Sequence, residues 1–291
     1  MSRAGTQTAP WLATISPLPF TFARTIMARV FITGSADGLG RLAAHLLLEQ
    51  GHRVLLHARH KKRGEEALSA APGAEGVVVG DLRSITQTRS VAEQVNQLGA
   101  FDAVIHNAGI GYRNSQRSAT EDGVPEMFAV NTLAPYILTA LINRPKRLIY
   151  LSSGMHRSGD TTLKDLAWEH RPWRGEQAYC DSKLHDVLLA FAVARFWPDV
   201  FSNALEPGWV ATKMGGQGAT DDLDAGRRTQ VWLASTDEPA AKVTGEYFYH
   251  LRPRAPLPST RNVELQEKLL ESCGRFSGVV FASGPKPHGR S

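Results

Sequence analysis

The sequence predicts a doubly wound α/β fold, a single domain built on a parallel β-sheet with helices on both faces. Three observations carry this. Short apolar, β-branched runs alternate along the chain with longer stretches of helical period, the pattern of strands joined by crossover helices. The first such run, Arg29-Val30-Phe31-Ile32-Thr33, ends in a turn holding Gly34, Gly38 and Gly40, and the amphipathic stretch Arg41 to Gln50 comes directly after it. The 291 residues, 42% of them hydrophobic, suffice for one large core of the size an open sheet encloses.

The strand-turn-helix unit at 29–40 is the one around which the rest is organised. Glycine admits positive φ and lets the backbone approach a pyrophosphate, while the new helix offers free N–H groups and the positive end of its dipole. Gly34, Ser35, Asp37, Gly38, Leu39 and Gly40 are therefore the candidate phosphate cradle. A glycine-rich turn also serves as an ordinary tight connection, so its meaning depends on the motifs carried by the later strands and helices.

After Gly51, His52 to His57 reads as the second strand, and Ala58-Arg59 stands just beyond it. In doubly wound folds an acid there grips the ribose hydroxyl of NAD, whereas a small residue followed by arginine leaves room for the 2′-phosphate of NADP. Arg59 equally suits the start of a solvated helix with Lys61 and Lys62. Gly76 to Gly80 is a third strand running into Asp81-Leu82, and an aspartate there also suits a cap for the helical stretch Ser84 to Leu98. Phe101 to His106 is a fourth strand, followed by Asn107-Ala108-Gly109. Asn131 opens a helix that reaches about Asn143 and is stopped by Pro145.

Lys146 to Ser152 is the fifth strand, and Ser153 comes next. Beyond it His156, Trp168, His170 and Trp173 lie in a polar stretch, either as a substrate wall or as a plug in the side of the core. The helix Glu176 to Phe196 carries Tyr179 and Lys183 on one face, four residues apart (183 minus 179). Asn203 to Glu206 ends the sixth strand at Pro207-Gly208. Gly215 to Gly226 reads as a mobile lid closed by the helix Leu223 to Ala234, and Tyr247-Phe248-Tyr249 as the last strand.

Composition narrows the partners. No stretch approaches the roughly 20 apolar residues that span a bilayer, so no membrane partner is expected. The net charge is +5, but the basic cluster Arg59-His60-Lys61-Lys62-Arg63 is local and gives way to Glu65 and Glu66. With no basic stripe, a phosphorylated cofactor accounts for the charge better than nucleic acid does. Cys180 and Cys273 form no CxxC, and the ten histidines show no ligand spacing, so no metal is expected and a reducing, cytoplasmic setting fits. Residues 1–26 contain Arg3 and Arg24, no acid, and prolines at 10, 17 and 19. They are expected to be a disordered extension or to reflect an upstream start codon, with a targeting segment as the alternative. The domain is expected to span 27–280, and 281–291 to be a disordered tail.

Taken in order and spacing, the glycine turn, Asn107-Ala108-Gly109, Ser152-Ser153, Tyr179-Cys180-Asp181-Ser182-Lys183 and Pro207-Gly208-Trp209-Val210-Ala211-Thr212 resemble the short-chain dehydrogenase/reductase family. The glycine spacing matches its short, single-domain branch. Ala58-Arg59, Tyr179 to Leu184 and Gly245-Glu246-Tyr247-Phe248 look most like the retinol-dehydrogenase and WW-domain oxidoreductase group. The resemblance covers about Met27 to Val280. It implies a Rossmann-type sheet and an NADP(H)-dependent oxidoreductase that interconverts a carbonyl and an alcohol on a small molecule, with NAD(H) as the lesser alternative.

By the same resemblance the cofactor is held by the glycine turn, by Arg59, by Asp81 at the adenine amino group and by the Leu82 backbone. Asn107, Ala108 and Gly109 line it, Pro207, Gly208 and Val210 border it, and the Thr212 hydroxyl meets its phosphates. His106 stands where relatives usually have a second asparagine. Tyr179 is the acid/base. A free tyrosine has a pKa of about 10, so its phenolate needs the field of Lys183 and the positive nicotinamide. Lys183 also holds the ribose, Ser153 rather than Ser152 bonds the substrate oxygen, and the Asn131 backbone holds a relay water. A cofactor-sensing regulatory protein on the same fold is the other reading. Only 22 residues separate Asn131 from Ser153 (153 minus 131), which looks short and predicts a monomer or weak homodimer.

Overall fold

The computed structural model describes residues 27–112, 116–282 and 284. The expectations for residues 1–26 and for 285–291 lie outside the described residues. Eight strands form one sheet: β1 Arg29–Ile32, β2 Arg53–Ala58, β3 Gly76–Val79, β4 Ala103–His106, β5 Arg147–Leu151, β6 Phe201–Glu206, β7 Tyr247–Tyr249 and β8 Arg252–Pro253. Their order is β3-β2-β1-β4-β5-β6-β7-β8, parallel throughout except for the antiparallel β7–β8 pair. The chain therefore steps outward from β1 to β3 and then returns to build the other half from β4. That reversal opens a crevice between β1 and β4 at the carboxyl ends of the strands, where such sheets bind ligands.

Alternation along the strands explains the two covered faces. Phe31, Leu55, Val104, Leu148 and Tyr150 point to one side, with α3 Ile85–Gln97, α5 Ala134–Leu141 and α6 Gly175–Phe196. Val30, Ile32, Val54, Leu56, Ile105 and Ile149 point to the other, with α1 Gly38–Glu49, α2 Lys61–Ala70 and α7 Leu223–Ser235. Burying each such side chain stabilises the fold by roughly 1.5–3 kcal/mol before entropy is counted, so a one-residue register slip in a central strand is not tolerated. Asp37 caps α1 through its own carboxylate and the Gly38 N–H (2.8 Å), and Ser84 caps α3.

Three expectations are corrected. The helix holding Asn131 does not begin there: α4 Glu126–Phe128 starts after Pro125, and Asn131 lies in a wide π-helical segment, Ala129–Leu133, before α5. Pro135 has no N–H to offer the carbonyl four residues back, that of Asn131, so a regular α-helical ladder cannot pass this point. Tyr247–Tyr249 is not the last strand, because the short β8 pairs antiparallel after it. After β8 comes α8 Val263–Ser277, capped by Asn262 through the Leu265 N–H (3.0 Å) and ended by Gly278 in the left-handed region. Finally, 281–291 is not tail from its first residue: Phe281 stacks on Trp197 with ring centroids 4.9 Å apart, and the Ala282 carbonyl accepts from the Trp197 indole (3.2 Å). No helix among the described residues is long and apolar enough to cross a membrane.

Candidate active site

The crevice is bordered by the glycine turn. Gly38 has φ +52° and no atom within 4 Å of where a Cβ would stand, so the cradle floor is open to a ligand. Gly40 answers a different demand: a Cβ there would meet the Asn107 amide nitrogen at 2.3 Å. Gly34, Asp37, Gly38 and Leu39 line the cleft, but Ser35 does not. Its hydroxyl is turned inward, donating to the Ile32 carbonyl (3.0 Å) and accepting from the His57 N–H (2.8 Å), so the side chain braces the turn. Gly40 is likewise a packing position. The Asn107 side chain donates to the Thr33 carbonyl (2.9 Å), bracing the turn, and Ala108 and Gly109 line the cleft beside it.

His57 completes the brace. Its Nδ1 accepts from the Gly34 N–H (3.0 Å), which leaves the proton on Nε2 to donate to the Gly80 carbonyl (2.9 Å). Burial pushes its pKa down to about 4, so it is neutral and fixed in one tautomer. At the outer end of the cleft, of about 430 Å³, stand Ala58, Arg59, Arg63, Asp81, Leu82 and Lys213. Arg63 and Lys213 both pair with Asp37, whereas Arg59 has no ion pair among the described residues. α2 begins two residues after Arg59, so the solvated-helix reading and the cleft-lining position coexist. Burial opposes ionisation of Asp81, but Arg83, at 2.6 Å, more than offsets it and holds that carboxyl below the usual range.

At the inner end the cleft meets a second cavity of about 500 Å³, and the two share Leu39, Ser152, Tyr179, Pro207, Thr212 and Met214. Tyr179 is buried, with its hydroxyl 3.8 Å from the Met214 sulfur and its ring 5.5 Å from that of Tyr112. Ser153 faces the second cavity. Ser152 is engaged elsewhere, donating to the Lys183 carbonyl (2.7 Å). Gly208, Val210 and Thr212 also border this cavity, on a loop tied down by Asp221, whose carboxylate accepts from the Trp209 N–H (2.6 Å). The wall is made by Tyr112, Met155, Trp209 and Tyr249, with the Glu206–Arg254 ion pair (2.6 Å) set into it. Trp168 and Trp173 are not part of it; they meet edge to face at 5.2 Å in an apolar cluster behind Tyr179, the core-plug alternative. His156 is likewise internal, bonded to the Ser153 carbonyl (2.7 Å) and the Leu257 N–H (3.1 Å).

Lys183 is enclosed, its ammonium donating to the Leu151 carbonyl (2.7 Å) and to Asp186 (2.9 Å) and lying 5.7 Å from the Tyr179 ring centre. The Asn131 amide is fully engaged: its oxygen accepts from Ile110 N–H (2.8 Å), and its nitrogen donates to the Ile110 carbonyl and the Ser182 hydroxyl (3.0 Å each). Tyr179 departs from expectation in one respect. Burial raises its pKa above the usual value and outweighs Lys183, while Asp186 acts in the same direction as burial. In the cofactor-free protein the phenol is therefore harder to ionise than a free tyrosine.

Sequence reading did not single out His57, Lys213, Asp221, Tyr112, Met214 or Asp186. Of these, Asp186 had a visible signal: a carboxylate three residues after a lysine, among Leu184, Val187, Leu188 and Leu189, where opposite charges can survive only as a pair.

The family model for short chain dehydrogenases matches residues 28–155. An oxidoreductase of Emericella nidulans is 46% identical to this chain, covering 89% of it and 100% of its own length. The short-chain dehydrogenase chyC of Penicillium rubens is also 46% identical, over 87% of this chain and 98% of its own. Among solved structures, a protein of Mycobacterium paratuberculosis superimposes with a TM-score of 0.76 at 26% identity, covering 89% of this chain and 98% of that one.

Proposed function

This chain belongs to the short-chain dehydrogenase/reductase family, and from that premise we propose that it is an NADP(H)-dependent oxidoreductase interconverting a small-molecule carbonyl and its alcohol. The observation that carries the reading is the meeting of two cavities at Tyr179: one lined by the glycine turn and Lys183, the other by Ser153 and an aromatic wall. When bound in the first, the nicotinamide supplies or takes up the hydride. The open cradle at Gly38, the α1 N-terminus and the basic residues Arg59, Arg63 and Lys213 fit its phosphates. Ala58 presents no carboxylate to repel a 2′-phosphate, which favours NADP(H) over NAD(H).

Tyr179 gives its proton to the developing alkoxide in reduction and takes it back in oxidation, with Ser153 donating a hydrogen bond to the same oxygen. Lys183 supplies the positive field that the buried phenolate needs and holds the ribose. The Asn131 amide fixes the spacing between the loop after β4 and α6, and its backbone, as the family resemblance implies, holds the relay water. The protein acts in the cytoplasm as a monomer or weak dimer, where its two buried cysteines remain thiols. The test is NADPH consumption against a panel of ketones, aldehydes and quinones with wild type and Tyr179→Phe. The variant is expected to bind NADPH as wild type does and to lose turnover. Turnover within about tenfold of wild type, which is about 1.4 kcal/mol of barrier, would remove Tyr179 as proton donor.

A further inference from the structure

Asp186 lies one helical turn beyond Lys183 on α6, and its side chain is 3% exposed against 7% for the lysine. Its carboxylate stands 2.9 Å from the ammonium, whose other acceptor is the Leu151 carbonyl at the end of β5. An ammonium enclosed in this way gives up its proton easily unless an anion stands beside it. We propose that Asp186 is a positioning residue for catalysis, the counter-ion that keeps Lys183 charged and fixed in place beside Tyr179. This rests on the reading of Tyr179 and Lys183 above and adds to it the residue on which the lysine depends.

The neighbourhood leaves that task to Asp186. On its own helix the carboxylate faces Lys183 and, more distantly, Tyr179, while His185 points to the Thr132 hydroxyl (3.0 Å) and is kept neutral by burial, its pKa pushed down to about 4. From β5 Tyr150 faces it, and the field of Asp186 adds to burial in holding that phenol un-ionised. Behind Tyr150, His106 on β4 is neutral, pushed down to about 3 by burial. From the π-helical segment come only the Asn131 amide and the Thr132 hydroxyl. The directions agree with the geometry: burial alone would lower Lys183, yet Asp186 raises it overall, and burial pushes the Asp186 carboxyl up to about 6 even beside the lysine.

The experiment compares wild type with Asp186→Asn, which keeps shape and a hydrogen-bonding oxygen but removes the charge. Without cofactor, melting temperature is measured from about pH 7 to 10. In the variant the folded state holds the Lys183 proton less tightly than the unfolded chain does, so its stability rises with pH relative to wild type across this window. With NADPH and substrate, turnover of the variant at about pH 9 is expected to fall by roughly tenfold or more relative to its value at pH 7, a loss wild type does not share. Lys183→Met combined with Asp186→Asn removes both charges and is expected to melt above Asp186→Asn alone, which keeps the test decisive if the single variant folds poorly. Superimposable pH profiles for wild type and Asp186→Asn, or a double variant no more stable than the single one, would overturn the proposal. Loss of the Tyr179 requirement in the turnover panel would instead overturn the catalytic reading, and the cofactor-free melting data would still stand.

Discussion

Replacing Arg59 by alanine tests cofactor choice at the point where the charges are unequal. Arg63 and Lys213 already share Asp37, so under the proposed NADP(H) preference Arg59, the basic side chain with no ion pair among the described residues, is the one a 2′-phosphate would meet. A hydrogen bond to a charged group contributes about 1.5–3 kcal/mol, and because Arg59 is exposed the lower end applies. That corresponds to roughly tenfold in affinity. Wild type is therefore expected to bind NADPH at least about tenfold tighter than NADH, and Arg59→Ala to erase most of that ratio with NADH affinity little changed. Cofactor titration by fluorescence at two salt concentrations provides the measurement, and the NADPH advantage should shrink at the higher one as exposed charge is screened. Equal affinities in wild type would refute the assignment. An unchanged ratio in the variant would shift the selectivity to Arg63 or Lys213.

Asn131→Ala strips the partners from the half-buried Ile110 N–H and C=O and from the buried Ser182 hydroxyl, together at about 1–3 kcal/mol or slightly more. A loss of about 3 kcal/mol predicts a melting temperature lower by roughly 6–12 °C, and a drop of a degree or two would show that the clamp matters little. Acid should destabilise the protein steeply. His57, His156 and His185 are pushed down to about 4 and His106 to about 3 by burial, so the unfolded chain takes up these protons first as pH falls below about 6.5. Each histidine costs roughly 1.4 kcal/mol per pH unit across that window, opposed by Asp186, which binds its proton more tightly in the folded state. A melting temperature flat from about pH 7 to 5 would contradict these assignments.

Much of the fold was legible because the strands are short apolar runs and the crossovers are periodic, and those patterns depend only on which face is buried. The glycine turn, Tyr179, Lys183 and Ser153 were legible as an ordered set. What stayed hidden depends on direction rather than residue type. Ser35 sits in the turn as its neighbours do, and nothing local says that its hydroxyl faces His57 instead of the cleft. Met214 and Tyr112 become wall only through loops whose course no periodicity describes. α8 carried readable signals, with Asn262 before it, Leu265, Leu269, Leu270 and Cys273 at helical spacing, and Gly278 after it, but no motif drew attention to them. A lone aromatic close to the end of the chain, such as Phe281, looks like part of a frayed end until the ring of Trp197 is there to receive it.

From Ala178 to Val193, α6 is buried without interruption, a helix enclosed on every side that nevertheless carries Tyr179 and Lys183, the pair proposed to do the chemistry. Such an element cannot open without the core opening with it, so the reactive groups have no softer mode of failure than the molecule as a whole. Heat inactivation should then coincide with global melting. In the proposed binding mode the adenine end of the cofactor is held by exposed Arg59 beside the surface Lys213–Asp37 pair, and that affinity should soften at lower temperature. A warmed sample would first need more cofactor to saturate it, and only later lose the capacity to turn over at all.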